Sequence, residues 1–310
     1  MIWVTWRQHR FEGAWSLALL AAMASCLSVV IWAASHPGCP VGAQATLCLP
    51  DDLWGQAAQL IMKIDLVQYG LVVLPALAGA FIGTPIVARE IENGTHRLVW
   101  TQGVTRSRWI YTKLSMLFIP LIAAAALAGI LEVILINQMG TQANHWDWFD
   151  QQAPLIVAAT VFALALGVAS GAVIRRSIPA MAVTLIGVVA VRFSLAVFAR
   201  AHYMSPILFA SHDPFGNTGV GANPAAWWLD DPVYRDASGR TIAGSQAFPF
   251  NGGSPGDVIT YWKDHGISMV QYYQPGDRFW TFQAIESGIL LVLSVTLLGF
   301  AIYWVTRRVT

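Results

Sequence analysis

Six long apolar stretches divide the polar segments of this chain, near 14–35, 66–88, 115–139, 154–174, 178–199 and 281–305. A bilayer core about 30 Å thick needs roughly 20 apolar residues per helical span, so each stretch predicts one transmembrane helix. The first follows Arg7 and Arg10, as the apolar part of a signal peptide would, but it outruns the usual 7–15 residues of such a segment and reads as an uncleaved anchor. Ahead of it, Ile2, Trp3, Val4, Trp6, Phe11 and Trp15 are interspersed with Arg7, Gln8, His9, Arg10 and Glu12. That mixture predicts an interfacial helix over 1–13, with aromatics at headgroup depth and arginines toward lipid phosphates.

Lys and Arg positions orient the spans, because positive residues near span ends stay in the cytoplasm. With both termini inside, the inner segments hold Arg7, Arg10, Arg89, Arg97, Arg106, Arg108, Lys113, Arg175, Arg176, Arg307 and Arg308. The expectation is therefore a multi-pass plasma-membrane protein with both termini cytoplasmic. Its fold class is an all-α membrane protein: six transmembrane helices, the N-terminal interfacial helix, and an ordered extracellular insertion between helices five and six. The expected layout is helices one to five over 14–199, a cytoplasmic loop at about 89–113, an extracellular domain over 200–280, and the sixth helix and tail over 281–310.

The polar intervals carry their own signals. Residues 36–65 open with Pro37, Gly38, Pro40 and Gly42, then become helix-compatible from Asp51. The short outer loop with His145, Trp146, Asp147, Trp148 and Asp150 looks like an aromatic belt, and a metal site there is the lesser alternative. In 200–280 the early part, through Gly216, Gly219, Gly221, Pro224, Gly239 and Gly244, is turn-dense and predicts irregular structure. From Val258 through Trp262 to Tyr273 the pattern fits one helix followed by a strand. Cys39 and Cys48 share the first outer loop, where an oxidising exterior permits a disulfide; two free thiols are the alternative.

Composition agrees with the patterning. Only 11% of residues are charged, against about a quarter in a soluble protein, and 56% are hydrophobic. A net charge of +1 excludes a strongly basic nucleic-acid binder. The three lysines, Lys63, Lys113 and Lys263, all lack the preceding glycine of a phosphate-cradling loop, and H-E-x-x-H, C-x-x-C and G-x-S-x-G are missing. No enzymatic activity is expected of the chain.

The most informative stretch joins the second and third spans, from Ala88 to Leu114. Arg89, Glu90 and Glu92 carry the second helix beyond the membrane, and Asn93-Gly94 is a C-cap-like break. A short helix from Thr95 to Gln102 would then present His96 and Arg97 beside Leu98, Val99 and Trp100. The acidic Glu90, the Gly94-Thr95 pair, Thr105-Arg106 and the later Lys113 stand in the order found in ABC-2-type permeases, the membrane subunits of type V ABC exporters, and the chain resembles that family. Glu-x-Gly-Thr-His-Arg-Leu, with Tyr273, Pro275, Arg278-Phe279-Trp280 and Phe282-Gln283, further resembles actinobacterial members.

That resemblance implies a permease subunit of an ATP-driven exporter of a hydrophobic or amphipathic substrate: a drug, peptide or lipid-linked molecule. It implies a second permease protomer, identical or different, and a separate ABC ATPase that binds ATP and Mg, with no cofactor in this chain. The implied coupling residues are Glu90, Glu92, Gly94, Thr95, His96, Arg97, Thr105 and Arg106. The family's shorter insertion between its last two helices departs from the long block here, so no role for that block carries over.

Glu132, Arg192 and Glu286 fall inside predicted spans toward the outer leaflet, where ionisable groups are functional candidates by default. Arg192 is expected to pair with Glu132 or Glu286. The small-residue patterns Gly79-x-x-x-Gly83 and Gly167-x-x-x-Gly171 allow close helix approach, more fittingly within the chain than between chains. Two other functional classes stay open: an ion-coupled transporter using the three buried charges, and a membrane enzyme using His202, His212, Asp213, Asp230, Asp231, Asp264 and His265 of the outer block.

Overall fold

The structure is a computed structural model that describes residues 66–94, 105–138, 146–215, 226–249 and 254–308. The expected interfacial helix, the first span, Cys39, Cys48, Thr95, His96, Arg97 and His145 lie outside the described residues. Among the described residues, five helical stretches are long and apolar enough to cross a membrane: Val72–Glu92, Arg106–Ile134, Ala153–Ile174, Ser177–His202 and Gly276–Arg308. They fall on the second to sixth predicted spans.

The chain divides into two compact units. The first is helical. Its elements are α1 (Leu66–Ala78), a π-helical turn (Gly79–Gly83), α2 (Pro85–Glu92), α3 (Arg106–Gln138), α4 (Ala153–Ile174) and α5 (Ser177–Ser194), with the body of α8 (Phe279–Arg308). α4 has no charged residue and no polar side, and Leu155, Ala159, Phe162, Leu164, Val168 and Ala172 are all buried. A helix apolar all round belongs at the centre, and α4 packs against α1, α2, α3 and α5. On α5, by contrast, Ile178, Ile186, Val189 and Phe193 point outward, as apolar residues do toward lipid.

Glycine makes the central contact possible. A Cβ on Gly167 would lie 2.2 Å from the Gly79 carbonyl oxygen, and one on Gly79 would lie 2.4 Å from that of Ala163. Gly171 faces the Thr84 carbonyl in the same way, at 2.6 Å. The two glycine patterns therefore face each other across a single intrachain seam, backbone against backbone. Beside it, the Thr84 hydroxyl bonds that of Thr184 at 3.0 Å, and Thr184 bonds Ser170 at 2.7 Å. This hydroxyl chain joins α2, α4 and α5 where the π-helical turn gives way to α2.

The second unit comprises Asn144–Phe149 and Ala196–Phe282. It corrects the all-α expectation, because it contains a five-stranded antiparallel sheet: β1 (Ile207–Ser211), β2 (Trp227–Trp228), β3 (Val233–Arg235), β4 (Thr241–Ile242) and β5 (Ser268–Gln274). β5 is central and pairs with β1, β2 and β3. The segment expected to be irregular supplies four strands, each of two to five residues and so too short for a readable period-two pattern. A short helix, α6 (Gly244–Ala247), follows β4, and the expected helix before β5 is present as α7 (Pro255–His265). Ser254 and Asp257 form a reciprocal cap at the start of α7, and Gly266, at φ +59°, ends it. Trp262 is fully buried and donates its indole N–H to the Ala247 carbonyl at 2.7 Å, among Val258, Ile267 and Met269.

Trp146 is not a belt residue. It is buried, stacking on Phe149 and Trp227 and meeting Phe279 and Phe282 edge-on, with ring centroids 5.1–5.7 Å apart.

Candidate functional site

The segment between α2 and α3 is anchored at both ends by residues singled out in the sequence. α2 ends at Glu92; Asn93 caps it, and Gly94 turns the chain at φ +68°, a conformation glycine adopts without Cβ strain. At the far end the Thr105 hydroxyl accepts the Arg108 amide at 3.3 Å, capping the first turn of α3.

Polar contacts tie this segment and the neighbouring helix ends together. The Lys113 ammonium donates to the Glu90 carboxylate, and both side chains are buried. Lys113 also stands 4.7 Å from the centre of the Trp109 ring, whose face attracts a cation. Glu92 accepts the backbone N–H of Ser177 at 3.0 Å and its hydroxyl at 2.8 Å, so a carboxylate from α2 sits on the positive N-terminal end of α5. The Arg106 guanidinium donates to the Thr306 carbonyl at 3.3 Å, and Arg175 donates to that of Arg308 at 3.3 Å. Both arginines thus satisfy orphan carbonyls at the C-terminal end of α8.

Burial separates these residues into two kinds. Glu90 is 8% exposed and Lys113 4%, so this pair braces the feet of two helices from inside. Glu92 and Gly94 are exposed. Ser177, Thr306 and Arg308 were not singled out in the sequence, since a hydroxyl opening a helix and two backbone carbonyls carry no motif.

The intramembrane charges do not form a single cluster. Arg192 donates to Glu286 at 3.2 Å and to Asp150 at 2.7 Å. The expected partner Glu286 is therefore present, and Asp150 is one that span-by-span reading missed because it precedes α4 in a polar turn. Glu132 is not joined to Arg192 by an ion pair among the described residues. It lies on α3 at 1% exposure.

In the second unit the histidines considered for an enzymatic site each meet a backbone carbonyl through Nδ1: His202 with Phe198, His212 with Ile267, and His265 with Tyr261. Among the described residues, no group of three His, Cys, Asp or Glu is placed to hold a metal ion.

Multiple apolar spans, packed through small residues and braced by charges at their ends, define a multi-pass membrane protein of the transporter class. The chain matches the family model described as ABC-2 membrane transporter related over residues 13–200, and it belongs to that family. No curated protein and no solved structure matches it.

Proposed function

We propose that this chain is the membrane-spanning subunit of an ATP-driven ABC exporter that moves a hydrophobic or amphipathic substrate, with ATP and Mg bound by a separate ATPase. Membership of the ABC-2 family carries this reading. Two permease protomers, identical or different, flank the pathway, and both termini lie in the cytoplasm. The segment from Glu90 to Arg106 docks on the ATPase and passes its movement to the helices.

Different parts of that segment have different tasks in this reading. Thr95, His96 and Arg97 are the docking residues. Glu90 and Lys113 keep α2 and α3 moving together, because separating them would strand a buried charge. Glu92 through Ser177 and Arg106 through Thr306 carry displacement to α5 and α8.

The test is to purify the tagged chain with the candidate ATPase and measure co-elution and ATP turnover. Wild type is compared with His96→Ala and Arg97→Ala, and the melting temperature of each variant serves as the folding control. A stoichiometric complex weakened by these variants without loss of stability is expected. A well-folded chain that captures no ATPase overturns the proposal.

A further inference from the structure

The second unit holds the ends of two membrane spans as well as the sheet: residues 196–202 close the span Ser177–His202, and 276–282 open the span Gly276–Arg308. Val197, Phe198 and Trp280 on these ends are exposed, as apolar residues are toward lipid. Short connections hold the sheet to them, since β1 begins at Ile207 and β5 ends at Gln274. The Gln274 amide donates to the Met204 carbonyl at 2.8 Å. The Arg278 guanidinium donates to the Ser205 carbonyl at 2.8 Å and to Gln274 Oε1 at 2.9 Å. One end of the sheet is thereby fixed beside both spans.

The character of the exposed side chains changes with distance from that end. The nearest cross-strand pairs of β1 and β5 are Ile207 with Tyr273 and Leu208 with Tyr272. Successive residues of a strand point to opposite faces, so the two pairs lie on opposite sides of the sheet. On the first side, Phe209, Trp228 and Tyr273 form a half-buried aromatic group with centroids 5.1–6.5 Å apart, and Ile207 is exposed. On the other, Leu208 is 48% and Tyr272 45% exposed, side by side. At the far end, where residues 236–240 turn β3 into β4, Arg235, Ser238, Arg240 and Thr241 are the exposed side chains. Val233 and Phe215, farther from the spans, are single exposed apolar residues of the kind any protein surface carries.

Whatever covers the sheet is therefore apolar beside the spans and aqueous at the β3–β4 turn. A second protein surface has no reason to follow that gradient, whereas a bilayer does. Its headgroup layer is about 5–8 Å deep on either side of the apolar core, and Trp and Tyr concentrate there. Tyr272 is two residues from Gln274 on a strand rising about 3.4 Å per residue, so it and its partner Leu208 stand no more than about 7 Å beyond Gln274.

We propose that the span-proximal end of the sheet, with Ile207, Leu208, Trp228, Tyr272 and Tyr273, is seated in the headgroup layer of the leaflet that these two spans reach on that side, its partner being phospholipid. The β3–β4 turn stands in water. This surface goes beyond the exporter reading and needs only the two spans.

The experiment uses the purified wild-type chain in phosphatidylcholine nanodiscs doped with a phosphatidylcholine that carries an aryl diazirine at the glycerol end of one acyl chain. Trypsin, cutting after Lys263 and Arg278, separates β5 from α7 and α8, and mass spectrometry assigns carbene adducts to residues. Adducts are expected on Leu208 and Tyr272 at a yield comparable with Phe198 and Trp280, and none above background on 236–240. Leu208 and Tyr272 free of adduct while Phe198 and Trp280 are labelled overturns the proposal, as does equal labelling of 236–240. A second arm compares nanodiscs loaded with one and with two chains. Labelling of Leu208 and Tyr272 is expected in both, and its loss in the two-chain discs assigns the surface to a second copy and overturns the proposal. No ATPase is present, so failure here leaves the exporter reading standing, and failure to capture an ATPase leaves this surface standing.

Discussion

Adding one methyl group at Gly167 should separate the two central helices of the membrane unit. The new Cβ would stand 2.2 Å from the Gly79 carbonyl oxygen and 2.9 Å from the Thr84 nitrogen, both backbone atoms that no rotamer change can move. Ordinary carbon contacts begin near 3.5 Å, so α4 and the π-helical turn must part by on the order of 1 Å. Overpacking of this kind costs about 1–3 kcal/mol. The displacement also strains the Thr84–Thr184–Ser170 hydroxyl chain, whose members sit at 3.0 and 2.7 Å. Gly288 and Gly299 on α8 supply the control, since a Cβ at either meets nothing within 4 Å. There the same substitution is neutral or gains up to about 1 kcal/mol of helix propensity. Melting of the purified variants in one detergent, followed by loss of the monodisperse chromatographic peak, should place Gly167→Ala several degrees below Gly288→Ala. A Gly167→Ala protein that melts with Gly288→Ala would refute the claim that the glycine seam sets the helix spacing.

Other outcomes follow from the polar contacts. Glu90→Met or Lys113→Met alone should destabilise by about 3–5 kcal/mol through a stranded buried charge, while the double change to Met at both positions recovers most of it; thermal melts of the cycle measure this. Arg192→Lys should cost about 1.5–3 kcal/mol, because a single ammonium cannot reproduce the fork that reaches both Asp150 and Glu286; a melting temperature equal to wild type would contradict it. The Ser254 hydroxyl and amide bonds hold the Asp257 carboxyl below its ordinary range, so that its stabilising effect on α7 is present above the unfolded value near 3.8 and fades as pH falls through the lower folded value. The hydrogen-exchange protection factors of peptides covering Ser254 to His265, taken relative to the intrinsic rate at each pH, should fall on acidification below that point, and Ser254→Ala should show the same loss of protection at neutral pH.

The coupling segment shows how far the pattern of residues reached. The order Glu90, Gly94-Thr95, Thr105-Arg106, Lys113 marked the loop and the family resemblance, because the helix break and the cap depend on local chemistry that a short stretch of chain carries by itself. That Glu90 turns inward to Lys113 while Glu92 reaches Ser177 depends on which face of α2 meets α3 and α5, and no local pattern records that. Asp150 lay in view as one more acid in a polar turn, and only the packing of α5 and α8 around it made it a partner of Arg192.

By itself the sequence determined the second to sixth spans, since length and apolarity suffice when the solvent is a bilayer, and it determined that two glycine patterns would seat helices closely. It also marked Val258 to Tyr273 as helix then strand. Tertiary structure alone decided that those glycine patterns face each other within the chain, and that a turn-dense segment supplies four short strands to the sheet around β5. The reason is the range of the interactions: helix formation and membrane insertion are satisfied by bonds within a segment, whereas strands of two to five residues exist only because a distant strand completes their hydrogen bonds.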